Sequence, residues 1–205
     1  MKRFLVLIVL MLVGCGENDE TTTESINEPI VKQPSIEKII KQINASGKIT
    51  AKQAESLSKV KRLELNGLIS ITDEQAAGLS KGFNFDTVIK LDGLLSITDA
   101  QAGWLSKWDS LSLNGLTTIT DKQAKLLSRC RHTLSLNGLT SITDAQAESL
   151  SDRTFLSVIE LDGLLSINDA QAESLSRVKG LYLNGLTTIT DKQAVSLCRV
   201  NILQL

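Results

Sequence analysis

Residues that commonly carry out covalent chemistry are scarce in this chain. The sequence contains one histidine, His132, and three cysteines, Cys15, Cys130 and Cys198. A Ser-His-Asp or Cys-His arrangement would have to be built around His132, which falls in a loop between repeats. One histidine and two distant cysteines do not have the spacing of a metal site either. The sequence therefore predicts no catalytic residue, no metal and no cofactor, and we expect the protein not to be an enzyme.

Two rows of polar residues recur along the chain and have side chains that can bind cations. The first row follows a helix-capping position, so the attraction of acidic groups for a helix N-terminus explains it. It consists of Asp73, Asp99, Asp121, Asp144, Asp169 and Asp191. The second row lies just after the predicted strands, where Asn and Asp are typical of turns. It consists of Asn66, Asp92, Asn114, Asn137, Asp162 and Asn184. We interpret both rows as structural.

The remaining cysteine, Cys15, has a different setting. Met1-Lys2-Arg3 precedes the apolar stretch 4–13, which is too short for the roughly 20 residues of a membrane-spanning helix and is typical of a signal peptide. Leu12-Val13-Gly14-Cys15 resembles the lipobox of bacterial lipoproteins, which implies cleavage after residue 14 and acylation of Cys15. An ordinary signal peptide with a chance cysteine is the alternative. Because Gly16 rather than Asp follows Cys15, the resemblance implies the outer membrane. The acidic residues Glu17, Asp19 and Glu20 are similar to surface-export signals of some lipoproteins, so we expect the outer membrane or the cell surface, facing the periplasm or the exterior.

The residues after Cys15 predict a tether. Residues 15–34 are acidic, rich in threonine and contain both prolines of the chain, so they cannot bury enough apolar surface to order themselves. Without Lys2 and Arg3 the chain carries 20 basic and 23 acidic residues, which disfavours a nucleic-acid partner.

The rest of the chain is an internal repeat. The motif Ile-Thr-Asp or a close variant begins at Ile49, Ile71, Ile97, Ile119, Ile142, Ile167 and Ile189, a spacing in the twenties that is typical of solenoids. Each unit starts with an alternating strand, as in Leu63-Glu64-Leu65, and continues through Asn-Gly or Asp-Gly. Glycines such as Gly67 are expected there for their backbone freedom. A capping box then begins a short helix, as Thr72 and Gln75 do in the first full unit. The fold class is therefore α/β, a solenoid over residues 46–205 with short parallel strands on one face and short helices on the other.

These repeats resemble the leucine-rich repeat family, particularly the subtype that contains cysteine. The resemblance implies a curved solenoid with its sheet on the concave side, and binding as the usual activity. Leucines such as Leu68 and Leu94 replace the family's Asn or Cys, so the family's side-chain ladder to the loop backbone is expected to be missing.

The solenoid ends differ from its middle. Ile36, Ile39, Ile40 and Ile43 have helical spacing behind a capping Ser35, which predicts an N-terminal capping helix over residues 35–45. At the other end, Leu203-Gln204-Leu205 is expected to form an open edge strand, a possible homodimer contact.

Candidate binding residues follow from this architecture. The outward strand positions should line the sheet, either as a ligand surface or as a solvated face: Glu64, Lys90, Ser112, Ser135, Glu160, Tyr182 and Gln204. Trp104 and Trp108 form either an exposed aromatic pair suited to contact or packing beneath the loop Lys81 to Thr87. The sequence thus favours a lipid-anchored envelope module that binds a protein or surface polymer. A structural or self-associating surface component is the alternative.

Overall fold

Short strands and short helices alternate along the chain. The computed structural model describes residues 35–82, 86–152 and 156–205. The strands are β1 (Arg62–Glu64), β2 (Val88–Lys90), β3 (Ser110–Ser112), β4 (Thr133–Ser135), β5 (Val158–Glu160), β6 (Gly180–Tyr182) and β7 (Ile202–Gln204). The helices are α1 (Ile36–Ser46), α2 (Ala51–Leu57), α3 (Asp73–Leu79), α4 (Asp99–Leu105), α5 (Asp121–Leu127), α6 (Asp144–Leu150), α7 (Asp169–Leu175) and α8 (Asp191–Leu197). The strands form one parallel sheet in chain order, which confirms the predicted α/β repeat fold.

Each strand lies one residue earlier than the sequence pattern suggested. The first strand is Arg62–Glu64 rather than Leu63–Leu65, and all seven strands pair in this register. The ladder already begins before the strand, because the amide of Val88 donates to the carbonyl of Lys61. It also continues past the strand, since Leu65 N donates to Lys90 O. The hydropathy pattern predicted the apolar residue at the centre of each strand, but not the residues at which the backbone hydrogen bonding between strands begins and ends.

The predicted capping boxes are present and have a second role. In α5, Thr120 accepts from the backbone of Gln123, while the Gln123 side chain accepts from the backbone of Thr120. The same Gln123 side chain donates through Nε2 to the carbonyl of Ile97 in the preceding unit, at 2.7 Å. Equivalent inter-unit bonds are made by Gln75, Gln101, Gln146, Gln171 and Gln193. The capping-box glutamine therefore caps its own helix and also forms a hydrogen bond to the preceding unit.

A side-chain ladder that was not predicted from the sequence joins the units at the end of the sheet. It uses the Asn or Asp that directly follows the strand motif rather than the position occupied by Leu68. Asn114 Oδ1, for example, accepts from Asn137 N at 2.8 Å. The other acceptors in this row are Asn44, Asn66, Asp92, Asn137 and Asp162. Apart from Asn44, which lies on the N-terminal helix, these residues were interpreted as turn formers, and they also connect consecutive units.

The glycines after this row have a steric role instead of the expected conformational one. Among the described residues, Gly47 is the glycine with positive φ, so Gly67 and its counterparts have ordinary backbone angles. A Cβ on Gly115 would overlap the carbonyl of Asp92 and lie 2.5 Å from that of Leu94. Glycine is needed there because the backbone of the preceding unit approaches closely.

The N-terminal helix covers the first unit. Ser35 caps α1, and Ile39 and Ile43 join the hydrophobic core, whereas Ile36 remains exposed. Asn44 extends from α1 to supply the first acceptor of the ladder, receiving a hydrogen bond from Gly67 N at 2.9 Å. The helix thus continues both the core and the inter-unit hydrogen bonding.

Candidate functional site

The predicted binding positions lie in one row across the sheet. Each is the third residue of its strand, and the strand pairing places neighbours opposite one another. Because side chains alternate along a strand, the first residue of each strand shares this face. This second row consists of Arg62, Val88, Ser110, Thr133, Val158, Gly180 and Ile202. Sequence reasoning missed it because the strands were placed one residue too late. We call the two rows together the sheet face.

A recess occupies the middle of the sheet face. The recess has a volume of about 270 Å³ and is lined by residues of β2 to β5 together with Asp92 and Asn114. Its floor is made of the small side chains Ser110, Ser112, Thr133 and Ser135, while larger residues flank it. It exists because β3 and β4 carry short side chains where the neighbouring strands carry Lys90 and Glu160.

Two serine hydroxyl groups in the recess form hydrogen bonds with the Asn and Asp side chains of the inter-unit ladder. Ser112 Oγ donates to Asp92 Oδ1 and accepts from Asn114 Nδ2. Ser135 Oγ donates to Asn114 Oδ1 at 2.8 Å and accepts from Asn137 Nδ2 at 3.2 Å. Ser135 is consequently buried, although it was predicted as an outward position. These bonds hold the rotamers of Ser112 and Ser135 before any ligand arrives.

Charges at the rim of the recess are unevenly neutralised. Lys90 Nζ lies 2.8 Å from Glu64 Oε1, and the side-chain hydrogen bond and charge of Glu64 raise the pKa of Lys90 above its ordinary value. On the opposite side, Glu160 makes no ion pair within the part of the chain that the structure describes. A ligand that lies across the recess would contact Lys90, whose charge is paired with Glu64, on one side and the carboxylate of Glu160 on the other.

The two tryptophans do not form an exposed pair. Trp108 is 4% exposed and belongs to the hydrophobic core, where its Nε1 has no hydrogen-bond partner among the described residues. Trp104 is 37% exposed, and Lys107 Nζ lies 3.9 Å from the centre of its ring. Only Trp104 therefore remains as a candidate contact residue, because packing accounts for Trp108.

The residues considered for catalysis and metal binding are dispersed. His132 is exposed, whereas Cys130 is buried, and its desolvation, together with the charge of Asp109, raises the pKa of its thiol to about 12. Cys130 and Cys198 are free thiols, and Cys198 is exposed although its counterparts Ser151 and Ser176 are buried. A protonated, enclosed thiol is a poor nucleophile.

The aspartate row at the helix starts is engaged between units. Asp73 accepts from Thr98 at 2.7 Å, and Asp99 pairs with Lys122 at 3.0 Å. Asp121, Asp144 and Asp169 have similar partners in the following unit. In the described ranges, no group of three His, Cys, Asp or Glu residues is arranged to hold a metal ion. Inter-unit contacts add to the helix-end electrostatics that were expected for this row.

The predicted lipid-attachment site lies outside the described residues, as do the signal peptide and the tether. Among the residues that are described, no helix has the length and hydropathy needed to span a membrane.

Comparison with protein-family models gives no match for this sequence, and comparison with curated proteins gives none either.

Proposed function

We propose that this protein is a lipid-anchored module of the bacterial cell envelope that binds a protein or a surface polymer through its sheet face. It would act by binding and not by catalysis. The recess between Lys90 and Glu160 carries the proposal, because it provides a shaped polar surface on an otherwise regular array. Repeat proteins commonly bind along the surface that their repeats build together.

The lining of the recess favours a segment of a polymer over a small molecule. Pockets for small molecules are mostly apolar and enclose their ligand. Here eight of the ten lining residues are polar or charged, with Val88 and Leu111 as the apolar ones. The flanking strands β2 and β5 are three strand spacings apart, about 14 Å, which is wide enough for an extended peptide or glycan chain.

Filling the recess provides the test. Ser112→Arg would project a long charged side chain into it, whereas Ser141→Arg places the same side chain at an exposed position outside the sheet face. A photo-crosslinking residue at Ser112 should capture an envelope component in intact cells, and the same residue at Ser141 should not. Purified Ser112→Arg protein should lose binding to that component, while Ser141→Arg protein retains it. Equal capture at both positions, or full binding by Ser112→Arg, would contradict the proposal.

Attachment through Cys15 is supported by the lipobox and the tether sequence that follows it. Metabolic labelling with an alkyne fatty acid should mark the parent protein and a Cys198→Ser control, but not Cys15→Ser. Label retained by the Cys15→Ser protein would refute acylation at that residue. This result is independent of the crosslinking outcome, so anchoring and binding are tested separately.

Self-association is a second candidate function, and exposed apolar side chains on α8 and β7 favour it. Val195 is 65% exposed at a position where α5, α6 and α7 carry Lys125, Glu148 and Glu173, and Ile202 is 52% exposed. A second copy could cover these side chains. Light scattering should then detect a dimer that Val195→Lys dissociates and Lys125→Ala does not. A monomer at high protein concentration would exclude this contact.

A further inference from the structure

The connections that lead from helices α2–α8 into strands β1–β7 lie side by side at the N-terminal ends of the strands. We call this side of the sheet the basic edge. Backbone bonds align them, as Val88 N donates to Lys61 O and Ile202 N donates to Lys179 O. Their described residues include nine lysines and arginines against three aspartates. The nine cations are all exposed: Lys59, Lys61, Lys81, Lys107, Arg129, Arg131, Arg177, Lys179 and Arg199. Of the three acids, Asp109 is buried and contributes little surface charge.

The opposite edge has the reverse charge. The connections from β1–β6 to α3–α8, with the first two residues of each helix, contain nine acidic residues and two lysines. The two lysines, Lys122 and Lys192, are paired with Asp99 and Asp169. Although the whole chain has a net charge of −1, its charges are therefore separated between two edges of the sheet. Such a charge dipole would orient the domain near an anionic surface.

Helix-end electrostatics explains only some of the basic edge. Lys59 and Arg129 lie two residues beyond a helix end, where a cation interacts favourably with the helix dipole. Lys61 and Lys179 instead lie directly before a strand, farther from the helix end. Ion pairing involves other members of the edge: Lys81 and Arg199 pair with glutamates on neighbouring helices, through side chains that remain exposed, and Arg131 lies 3.8 Å from Asp109. Lys59, Lys61, Arg129 and Lys179 form no ion pair with any described residue.

A partly exposed aromatic ring and a recess of mixed polar and apolar lining accompany these charges. The exposed ring of Trp104 lies beneath the Nζ of Lys107, so an aromatic surface borders the basic edge. A recess of about 270 Å³ opens between Leu156, Val178 and Asn201, with Lys179 and Arg199 also lining it. Tryptophan beside lysine and arginine is typical of protein surfaces at the membrane interface, where the ring enters the headgroup layer and the cations contact phosphates.

We propose that the basic edge binds the anionic headgroups of a phospholipid membrane and holds the solenoid with its acidic edge away from the lipid. Seven connections at strand spacing form a row about 29 Å long, which can contact several headgroups together. The Trp104 ring favours a membrane over a soluble polyanion, because a polyanion offers no apolar layer for it. The proposal goes beyond the function proposed above and does not require acylation of Cys15.

Vesicle binding by the full chain tests this contact. The parent protein and its variants are compared on phosphatidylglycerol-containing and pure phosphatidylcholine vesicles, and the ratio of the two affinities is the measured quantity. The apolar N-terminal stretch is identical in every variant, so its contribution cancels in the ratio. The combined Lys61→Glu, Arg129→Glu and Lys179→Glu variant should lower the preference for anionic vesicles at least about 100-fold, since each cation lost near such a surface contributes about a fivefold effect.

The matched control reverses the same number of charges elsewhere. Lys41→Glu, Lys48→Glu and Lys52→Glu alter exposed lysines on α1, before α2 and at its start, and should leave most of the preference intact. Circular dichroism verifies that both triple variants are folded. Equal losses in the two triple variants would overturn the proposal, and so would a parent that binds inorganic polyphosphate but shows no preference for anionic vesicles. Neither result depends on whether Cys15 carries a lipid or the sheet face binds a ligand.

Discussion

Replacing Gln123 by glutamate separates the two roles of the capping-box glutamine. Glutamate can still accept from Thr120 N, so the capping box is preserved. It cannot donate to the carbonyl of Ile97, which Gln123 Nε2 contacts at 2.7 Å in a buried setting. If Gln123 acted only in capping, Gln123→Glu would not lower the stability. If its hydrogen bond to the preceding unit also contributes, the variant should be less stable than the parent.

The expected loss of stability in Gln123→Glu can be worked out from the groups that lose their hydrogen-bond partners. Gln123→Glu leaves the Ile97 carbonyl without its donor and places a carboxylate oxygen next to it. A buried acceptor that loses its partner costs about 1 to 3 kcal/mol, and the carboxylate adds a desolvation cost. We expect a decrease of about 3 kcal/mol in the free energy of unfolding, measured by urea denaturation at neutral pH.

Gln53→Glu is the matched control. Gln53 makes the same capping box with Thr50, but its Nε2 forms no hydrogen bond to another described residue. Its replacement should change the unfolding free energy by less than about 0.5 kcal/mol. Equal effects at both positions would refute the inter-unit role of Gln123.

Acid should restore part of the stability of Gln123→Glu, because a protonated carboxyl can donate to Ile97. Burial raises the folded-state pKa of the new carboxyl above its unfolded value of about 4.3. The deficit relative to the parent is therefore small below that unfolded pKa and grows as the pH rises through the folded one. A deficit that does not vary with pH would contradict this explanation.

Three further outcomes follow from the packing. Gly115→Ala should destabilise the fold by about 2 kcal/mol in urea denaturation, because its Cβ would overlap backbone carbonyls. Gly103→Ala should be neutral or stabilising, because its Cβ would meet only a Leu126 methyl at 3.8 Å, and a loss of stability there would oppose this steric account. A thiol reagent at neutral pH should label Cys198 and leave Cys130 unmodified until the protein unfolds; labelling of Cys130 in the folded protein, detected by mass spectrometry, would contradict its burial. Because the pKa of Cys130 is raised from 9.0 to about 12 by folding, the parent should lose about 1.4 kcal/mol of stability per pH unit across that window relative to Cys130→Ala; parallel stability curves would oppose the shift.

Repetition made most of the fold predictable from the sequence. Recurrence of Ile-Thr-Asp fixed the number and order of units, and alternation at Leu63 and Leu65 identified the buried side of the sheet. The capping boxes were predictable because Thr72 and Gln75 interact within one helical turn. These features depend on residues close in sequence, for which spacing determines contact.

Contacts between units were harder to predict. Asn114 and Asn137 are 23 residues apart, and nothing in the pattern distinguishes a turn-forming Asn from one that accepts a hydrogen bond from the next unit. The one-residue error in the strands concealed the row that contains Ser110 and Thr133, and hence the floor of the recess. Trp104 and Trp108 are four residues apart on the sequence but differ in burial, since Trp108 lies beyond the end of α4 and joins the core.

The recess and the ladder depend on the same residues, which has a consequence for binding. Ser112 and Ser135 are short enough to bond the ladder residues Asp92 and Asn114 of the preceding units, and their shortness also opens the recess. Longer third residues such as Lys90 extend from the face instead, and Lys90 pairs with Glu64. Ser112 and Ser135 in the floor of the recess are therefore held by inter-unit hydrogen bonds, while its rim carries the longer side chains. A ligand in the recess would meet a pre-ordered floor, which lowers the entropic cost of binding, and the rim residues Lys90 and Glu160 would determine its specificity.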